Sequence, residues 1–197
     1  MWKRKIMEQT KDMNPEESLA LIHTMINKAR FNFSRGSFYF ILWGVLLFIA
    51  AMYEYVATLY DFEMFYIAWP VAGVVGGIAS AVYGSRSRTL GPNTHLDRVY
   101  SAIWVTYFLT LIMLIIGLVF AQINPGAYIM LITGLPTFLT GYILEFKPLQ
   151  FGGVLFWAAG LLGMFYPTEY DSIIFGVVML GGYLVPGIMM RQLKEDV

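Results

Sequence analysis

VYSAIWVTYFLTLIMLIIGLVFA, residues 99–121, decides the fold class of this chain. The stretch contains no charged residue and no histidine, and its apolar residues run on without alternating with polar ones. A helix needs about 20 mainly apolar residues to cross roughly 30 Å of hydrocarbon, whereas a barrel strand would alternate with period two. The stretch therefore predicts a transmembrane α-helix.

Five other stretches have the same character, and none of the six contains Lys or Arg. Together they predict six transmembrane helices, at residues 38–60, 64–84, 99–121, 126–146, 149–166 and 172–190. Each even-numbered span contains one proline, Pro70, Pro136 or Pro186, and the odd-numbered spans contain none. This regularity indicates three repeated hairpins. The predicted fold is an all-α polytopic membrane bundle with an N-terminal cytoplasmic amphipathic helix.

The composition agrees with a membrane bundle. Of 197 residues, 58% are hydrophobic and 13% are charged, against about 45–50% and about 25% in soluble domains. The lack of cysteine excludes disulfides and thiol catalysis, and the formal net charge of 0 argues against a nucleic-acid partner. The sequence contains no phosphate-binding, dinucleotide-binding, zinc-protease or serine-hydrolase motif. We therefore expect no enzyme activity, no catalytic residue, no cofactor and no metal site.

The basic residues indicate how the chain is threaded. With six spans, all 13 Lys and Arg residues fall on one side, in the two termini and the second and fourth connections. The opposite connections carry Asp61, Glu63, Glu169 and Asp171 and no base. Cytoplasmic loops collect Lys and Arg, so the pattern predicts a multi-pass membrane protein with both termini in the cytoplasm.

The cytoplasmic N-terminal segment, residues 1–37, contains a predicted amphipathic helix at residues 15–33. Asn14 is placed as its N-cap, with Pro15 at the first helical position and Glu17 as the capping-box partner. Its apolar stripe has a 3, 4, 3, 4 spacing and comprises Leu19, Ile22, Ile26, Ala29 and Phe33. The helix either lies on the inner leaflet or docks on the bundle or a partner. Residues 191–197 form a short cytoplasmic tail.

Four residues are the candidates for intramembrane function. Glu54 is an acid inside the first span, where ionisable residues favour proton or cation handling. Its predicted position about 6 Å below the outer boundary, at 1.5 Å per residue, also allows a structural role through the hydroxyls of neighbouring tyrosines. Pro136, Thr137 and Thr140 form the most irregular interior stretch, either a substrate site in a broken helix or a kink used in packing.

The polar connection between the second and third spans contains the cytoplasmic candidates, Arg86, Arg88, His95, Asp97 and Arg98. Thr94 is placed as the cap of the third helix, with Asp97 in its first turn. His95, Asp97 and Arg98 form a small polar cluster, but no nucleophile and base are evident for catalysis. We expect this segment to cap the helix and to contact anionic lipid headgroups.

Glycines recur in most spans, at residues 73, 76, 77, 117, 134, 141, 152, 153, 160, 163, 176, 181 and 182. Gly73 and Gly77 have the GxxxG spacing of a close helix–helix contact. The glycines therefore predict close packing of helices within the bundle.

Several stretches resemble a family of small, functionally uncharacterised six-span membrane proteins of Bacteroidetes-type bacteria. They include residues 14–19, 94–99, 146–149 and 182–187, which read NPEESL, THLDRV, FKPL and GYLVPG. The resemblance covers most of the chain from Asn14 onward. It implies a bacterial inner-membrane protein, and it implies no activity.

The function predicted from the sequence is therefore that of a non-enzymatic integral membrane protein. It acts through its basic cytoplasmic face, as a scaffold or as a partner in stress or signalling, and its partners are anionic lipids, a protein or a second copy. The alternative is a small transporter or channel that uses the proline-broken even-numbered helices and Glu54. A membrane enzyme ranks third, with the cluster of His95, Asp97 and Arg98 as its only candidate site.

Overall fold

The computed structural model describes the backbone of residues 15–88 and 95–195, and within it the side chains of residues 36–86 and 98–192. Over these ranges the regular structure is helical, without a strand. In chain order the helices are α1 (Pro15–Leu59), α2 (Ala68–Arg88), α3 (His95–Phe120), α4 (Gly126–Ile143), α5 (Lys147–Phe165), α6 (Asp171–Met179) and α7 (Val185–Glu195). A π-helical turn, Leu180–Leu184, joins α6 to α7.

Five stretches are long and apolar enough to cross a membrane, namely Gly36–Leu59, Arg98–Phe120, Gly126–Ile143, Lys147–Phe165 and Asp171–Gln192. They coincide with the first and the third to sixth predicted spans. The last of them combines α6, the π turn and most of α7. The prediction of an all-helical chain with helices suited to membrane spanning is thus confirmed for the described residues.

The predicted second span, residues 64–84, is displaced along the chain. Helix α2 begins at Ala68 and continues to Arg88, while residues 63–67 form turns. The helix therefore lacks the apolar side chains of Met64, Phe65 and Ile67 and gains charged ones at its other end. Helix α2 is not among the five stretches that are long and apolar enough to cross a membrane.

The sequence predicted an amphipathic helix at 15–33 and a separate first span at 38–60. In the structure, α1 runs through both segments as one helix of 45 residues. Residues 34–37, Ser-Arg-Gly-Ser, favour helices only weakly, but none is proline, so their N–H groups can continue the helical hydrogen bonds. The predicted N-cap, Asn14, and the side chains of the apolar stripe lie outside the described part of the chain.

The core is formed by α1, α4, α5 and the α6–α7 unit. Helices α4 and α5 form the most extensive interface, and α1 packs on α6, on the π turn and on α7. Among the largest fully buried side chains are Phe40, Leu149, Phe156, Met179 and Met190. They come from four different elements, so a single apolar core joins the first helix to the last three.

Helices α2 and α3 lie at the periphery. Among described residues, α2 packs on α1 and α3 packs on α4, without close backbone contacts to other helices. Only 6% of the most apolar window of α3 is buried inside the bundle, against 50% for the last span. Large side chains span the distance between α3 and the core, as in the contact between the rings of Phe40 and Trp104.

Helices α1, α3 and α4 end in the same hydrogen-bonding motif. The residue two positions after each helix, Asp61, Gln122 or Glu145, has a positive φ of 51°, 59° or 53°. The next amide donates to the carbonyl five residues earlier, as Phe62 N does to Ala57 O and Phe146 N to Gly141 O. This is a Schellman arrangement, with a polar residue where glycine is usual.

Candidate functional site

The predicted stretch in the fourth span forms a buried row of threonines. Thr133, Thr137 and Thr140 lie at helical spacings of four and three residues on α4, and each is at most 1% exposed. We call these three residues the threonine row. Thr137 and Thr140 were predicted from the sequence as candidates and Thr133 was not, although its spacing of four from Thr137 was available as a signal.

Thr133 connects α4 to α3. Its hydroxyl donates to the Ile129 carbonyl at 2.6 Å and lies 2.7 Å from the Tyr107 hydroxyl on α3. Because a threonine hydroxyl carries one proton, Tyr107 is the donor in the second contact. The hydroxyl of Thr133 thus both donates and accepts within the bundle.

The other two threonines make similar contacts. The Thr137 hydroxyl donates to the Thr133 carbonyl at 2.7 Å and lies 3.4 Å from the hydroxyl of Tyr183 in the π turn. The Trp104 indole N–H on α3 donates to the Thr140 hydroxyl at 3.2 Å. The threonine row is therefore occupied by internal partners from α3, α4 and the π turn.

Pro136 lies inside α4 without breaking it, since the helix is continuous from Gly126 to Ile143. Proline removes one backbone donor and usually kinks a helix. The Thr133 and Thr137 hydroxyls, which lie on either side of Pro136 in the chain, donate to the Ile129 and Thr133 carbonyls of the same helix. This placement corresponds to the packing interpretation of the stretch rather than to a broken helix.

The irregular backbone lies instead in the last span, at the π turn immediately before Pro186. Glycines let this turn approach its neighbours. A Cβ on Gly152 of α5 would lie 2.6 Å from the Gly182 carbonyl oxygen, and one on Gly44 of α1 would lie 2.9 Å from the Leu184 amide nitrogen. The turn is thus wedged between α1 and α5.

Glu54 lies near the C-terminal end of α1, away from the threonine row. Its carboxylate accepts a hydrogen bond of 3.0 Å from the Ser172 hydroxyl at the start of α6. The sequence suggested neighbouring tyrosines as partners of Glu54, whereas the partner is a serine 118 residues away in the chain. A local sequence pattern could not have indicated this pair. Glu54 and Thr137 do not share a hydrogen-bonding network among the described side chains.

The cytoplasmic candidates are only partly described. Arg86 near the end of α2 and Arg98 near the start of α3 are exposed. The backbones of Arg88, His95 and Asp97 belong to the same two helices, but their side chains and the predicted Thr94 cap lie outside the described residues. Within the described part of the chain, no group of three acids or histidines could hold a metal ion.

The described surface also contains an apolar groove of about 430 Å³ on α5, beside the π turn. Its lining residues are Pro148, Phe151, Gly152, Val154, Leu155, Ala158 and Gly181. The groove lies on the outside of α5 and supplies no charged or hydroxyl group. The groove therefore contributes no polar side chain that could act together with the threonine row.

Comparison of the chain with protein-family models, with curated proteins and with solved structures gave no match.

Proposed function

We propose that this chain is a non-enzymatic inner-membrane protein with six spans and cytoplasmic termini, which acts as a scaffold or signalling partner through its basic face. The observation that carries this proposal is the occupied core. Buried hydroxyls of α4 are used in contacts between helices, and the helices approach one another at glycines. The polar groups of such a core are used to hold the helices together. The protein would therefore act through the surface of the bundle.

The sixth span in this proposal is α2. One end of α2 packs near the outer side, where the rings of Trp69 and Phe175 are 5.0 Å apart. The other end packs at the inner end of the first span, where Tyr83 stacks on Phe38 at 3.9 Å. Helix α2 thus runs beside α1 through most of the bundle, and with it all 13 bases fall on one side.

Transport is the competing function, and it needs a polar path through the core. The threonine row could line such a path only if water reached it. Thr137 and Thr140 are 0% exposed, and Glu54 is bonded to Ser172. This arrangement favours a closed bundle over a conduit.

Cysteine accessibility tests the closed core, because the chain contains no native cysteine. We expect Thr137→Cys and Thr140→Cys to resist a membrane-impermeant thiol reagent applied from either side. Glu169→Cys and Ser85→Cys, at exposed positions, should react from opposite sides as matched controls. Reaction at Thr137→Cys would make the transporter the better interpretation.

The orientation needs a separate test. A reporter that is active only in the periplasm, fused after Val197, should stay inactive, since the six-span arrangement places both termini in the cytoplasm. An active fusion would refute the cytoplasmic C-terminus.

The cytoplasmic part of α1 is the proposed contact surface for a partner. The span Gly36–Leu59 takes 24 of the 45 residues of α1, so the rest extends about 30 Å further at 1.5 Å per residue. A thiol at Ile22→Cys should be protected in intact cells and reactive in washed membranes if a soluble protein covers it. Protection in both preparations would indicate cover by lipid or by the bundle.

A further inference from the structure

In the described part of the chain, helices α2 and α3 make no close backbone contact, and we call the space between them the crevice. Among described residues, no Cα of α2 lies within 8 Å of a Cα of α3, whereas helices in direct contact have axes only about 8–10 Å apart. One side chain of α1 nevertheless touches both helices. Trp43 donates to the Ser80 hydroxyl on α2 at 3.2 Å, and its ring lies 5.7 Å from that of Phe108 on α3.

Trp43 and Phe108 therefore form an aromatic floor between two separated helices. Both side chains are only partly buried. The α2 backbone approaches this floor at Gly76, where a Cβ would lie 2.8 Å from the Trp43 ring. Because α2 and α3 lie at the periphery of the bundle, the space between them faces the bilayer in the proposed six-span arrangement.

The basic end of the crevice carries an arginine on each wall. Ser80 and Phe108 mark the level of Trp43, and Arg86 and Arg98 lie about 9 Å and about 15 Å further along their helices, at 1.5 Å per residue. Both arginines are exposed. The crevice thus combines an apolar interior with positive charge at the depth of inner-leaflet headgroups.

We propose that this crevice binds one anionic phospholipid from the inner leaflet. Its phosphate lies between Arg86 and Arg98, because guanidinium groups bind phosphate oxygens through paired N–H donors. One acyl chain lies along Trp43 and Phe108. A second copy of the chain is a poorer occupant, since its own basic end would bring like charges to the same mouth.

This inference rests on the proposed placement of α2 in the membrane. It is independent of whether the core is closed. If Thr137→Cys reacts with an impermeant reagent but the lipid preference described below holds, the proposed function fails and the lipid site stands.

Tryptophan quenching by brominated lipids tests the site in the full chain reconstituted into bilayers. Trp43 is kept as the reporter, and the other tryptophans, Trp2, Trp69, Trp104 and Trp157, are replaced by Phe. The probe lipids are phosphatidylglycerol and phosphatidylcholine with the same brominated acyl chains. We expect an apparent preference of about tenfold for phosphatidylglycerol at Trp43, since each arginine near anionic lipid adds a severalfold attraction.

Arg86→Gln combined with Arg98→Gln should abolish this preference. Arg191→Gln is the matched control, because Arg191 is an exposed base on the same side but on α7. It should leave the preference unchanged. Equal quenching by the two lipids in the reporter protein, or an equal loss in the Arg191 variant, would overturn the proposal.

Two further measurements complete the test. Glycerol 3-phosphate in the buffer should not displace the lipid, and its competition would show a site for free phosphate instead. Native mass spectrometry of the unsubstituted chain should retain one phosphatidylglycerol in preference to phosphatidylcholine. This readout does not depend on the folding of the reporter protein, and no retained lipid would also count against the site.

Discussion

Helices α4 and α5 meet backbone to backbone, whereas α3 is held to α4 mainly by side chains. A Cβ on Gly153 of α5 would lie 2.7 Å from the Phe138 amide nitrogen, and one on Gly160 would lie 2.7 Å from the Leu131 amide nitrogen. Helix α3 instead uses Trp104 and Tyr107 to reach the threonine row. The same bundle therefore contains a rigid pair and a loosely attached neighbour.

Glycine content alone would not have separated these regions. Gly73 and Gly77 on α2 have the spacing of a packing motif, yet a Cβ at either position would meet nothing within 4 Å. Gly153 and Gly160 have no such GxxxG spacing, yet each lies against the backbone of a neighbouring helix. What matters in a membrane is whether a glycine faces a neighbouring backbone, and the tertiary arrangement decides that.

Substitution of these glycines should give the largest difference in stability between the two regions. Gly153→Ala should destabilise the protein by about 2–3 kcal/mol, because the added methyl group meets the Phe138 backbone, which cannot move aside. Gly77→Ala is the matched control and should cause no loss, since its methyl group enters open space. Thermal unfolding in detergent, followed by tryptophan fluorescence, measures both. Equal losses would mean that α4 and α5 are not in backbone contact.

The side-chain contacts of α3 should contribute less to stability than the backbone contacts between α4 and α5. Thr133→Val and Tyr107→Phe should each destabilise by about 0.6–1.7 kcal/mol, the range for hydrogen bonds between membrane helices. The double variant should cost less than the sum of the two, because both changes remove one bond. Thr110→Val is the control, since its exposed hydroxyl bonds within α3, to the Thr106 carbonyl. Strict additivity would contradict the Thr133–Tyr107 contact.

Several features of the fold followed from local sequence. Continuous apolar stretches predicted the helices that are suited to spanning, because burial in hydrocarbon is a property of each segment. The exception at α2 arises because Met64 and Ile67 are apolar but lie in turns, and apolarity does not fix where a helix begins. Likewise, the predicted amphipathic helix and first span were separate segments, and helical hydrogen bonding continues through residues 34–37 between them.

The site was harder to predict, because its contacts are distant in sequence. Thr137 was recognised from its place beside Pro136, but its contact with Tyr183 joins residues 46 positions apart. Glu54 was recognised as an intramembrane acid, whereas its Ser172 partner depends on how α6 packs on α1. Residue type therefore identified polar groups in the membrane, and tertiary packing determined which of them meet.

The ends of α3 and α4 share one capping motif although their packing differs. Gln122→Gly and Glu145→Gly should each stabilise the protein by about 0.5–1 kcal/mol, because a positive φ costs other residues more than it costs glycine. Chemical denaturation in mixed micelles would measure the gains. Similar values would show that capping is local, and a gain at Glu145 alone would indicate that loose packing lets α3 fray.

The smallest effect is expected at Glu54. Glu54→Gln should change stability by less than about 0.5 kcal/mol, since glutamine retains an oxygen that can accept the Ser172 hydrogen bond and the site lies near the C-terminal end of α1. Ser172→Ala provides the reciprocal variant. Loss of a proton- or cation-coupled flux in proteoliposomes on Glu54→Gln would refute this structural role. The transporter would then be the better interpretation.

The continuity of α1 has a mechanical consequence. A helix without a break transmits rotation about its axis and displacement along it, and α1 is 45 residues long, or about 67 Å at 1.5 Å per residue. It contacts α2, α6, the π turn and α7 along its membrane part, and it carries Glu54 near its far end. A torque applied to its N-terminal half is therefore carried along the helix toward the Glu54–Ser172 hydrogen bond near its other end.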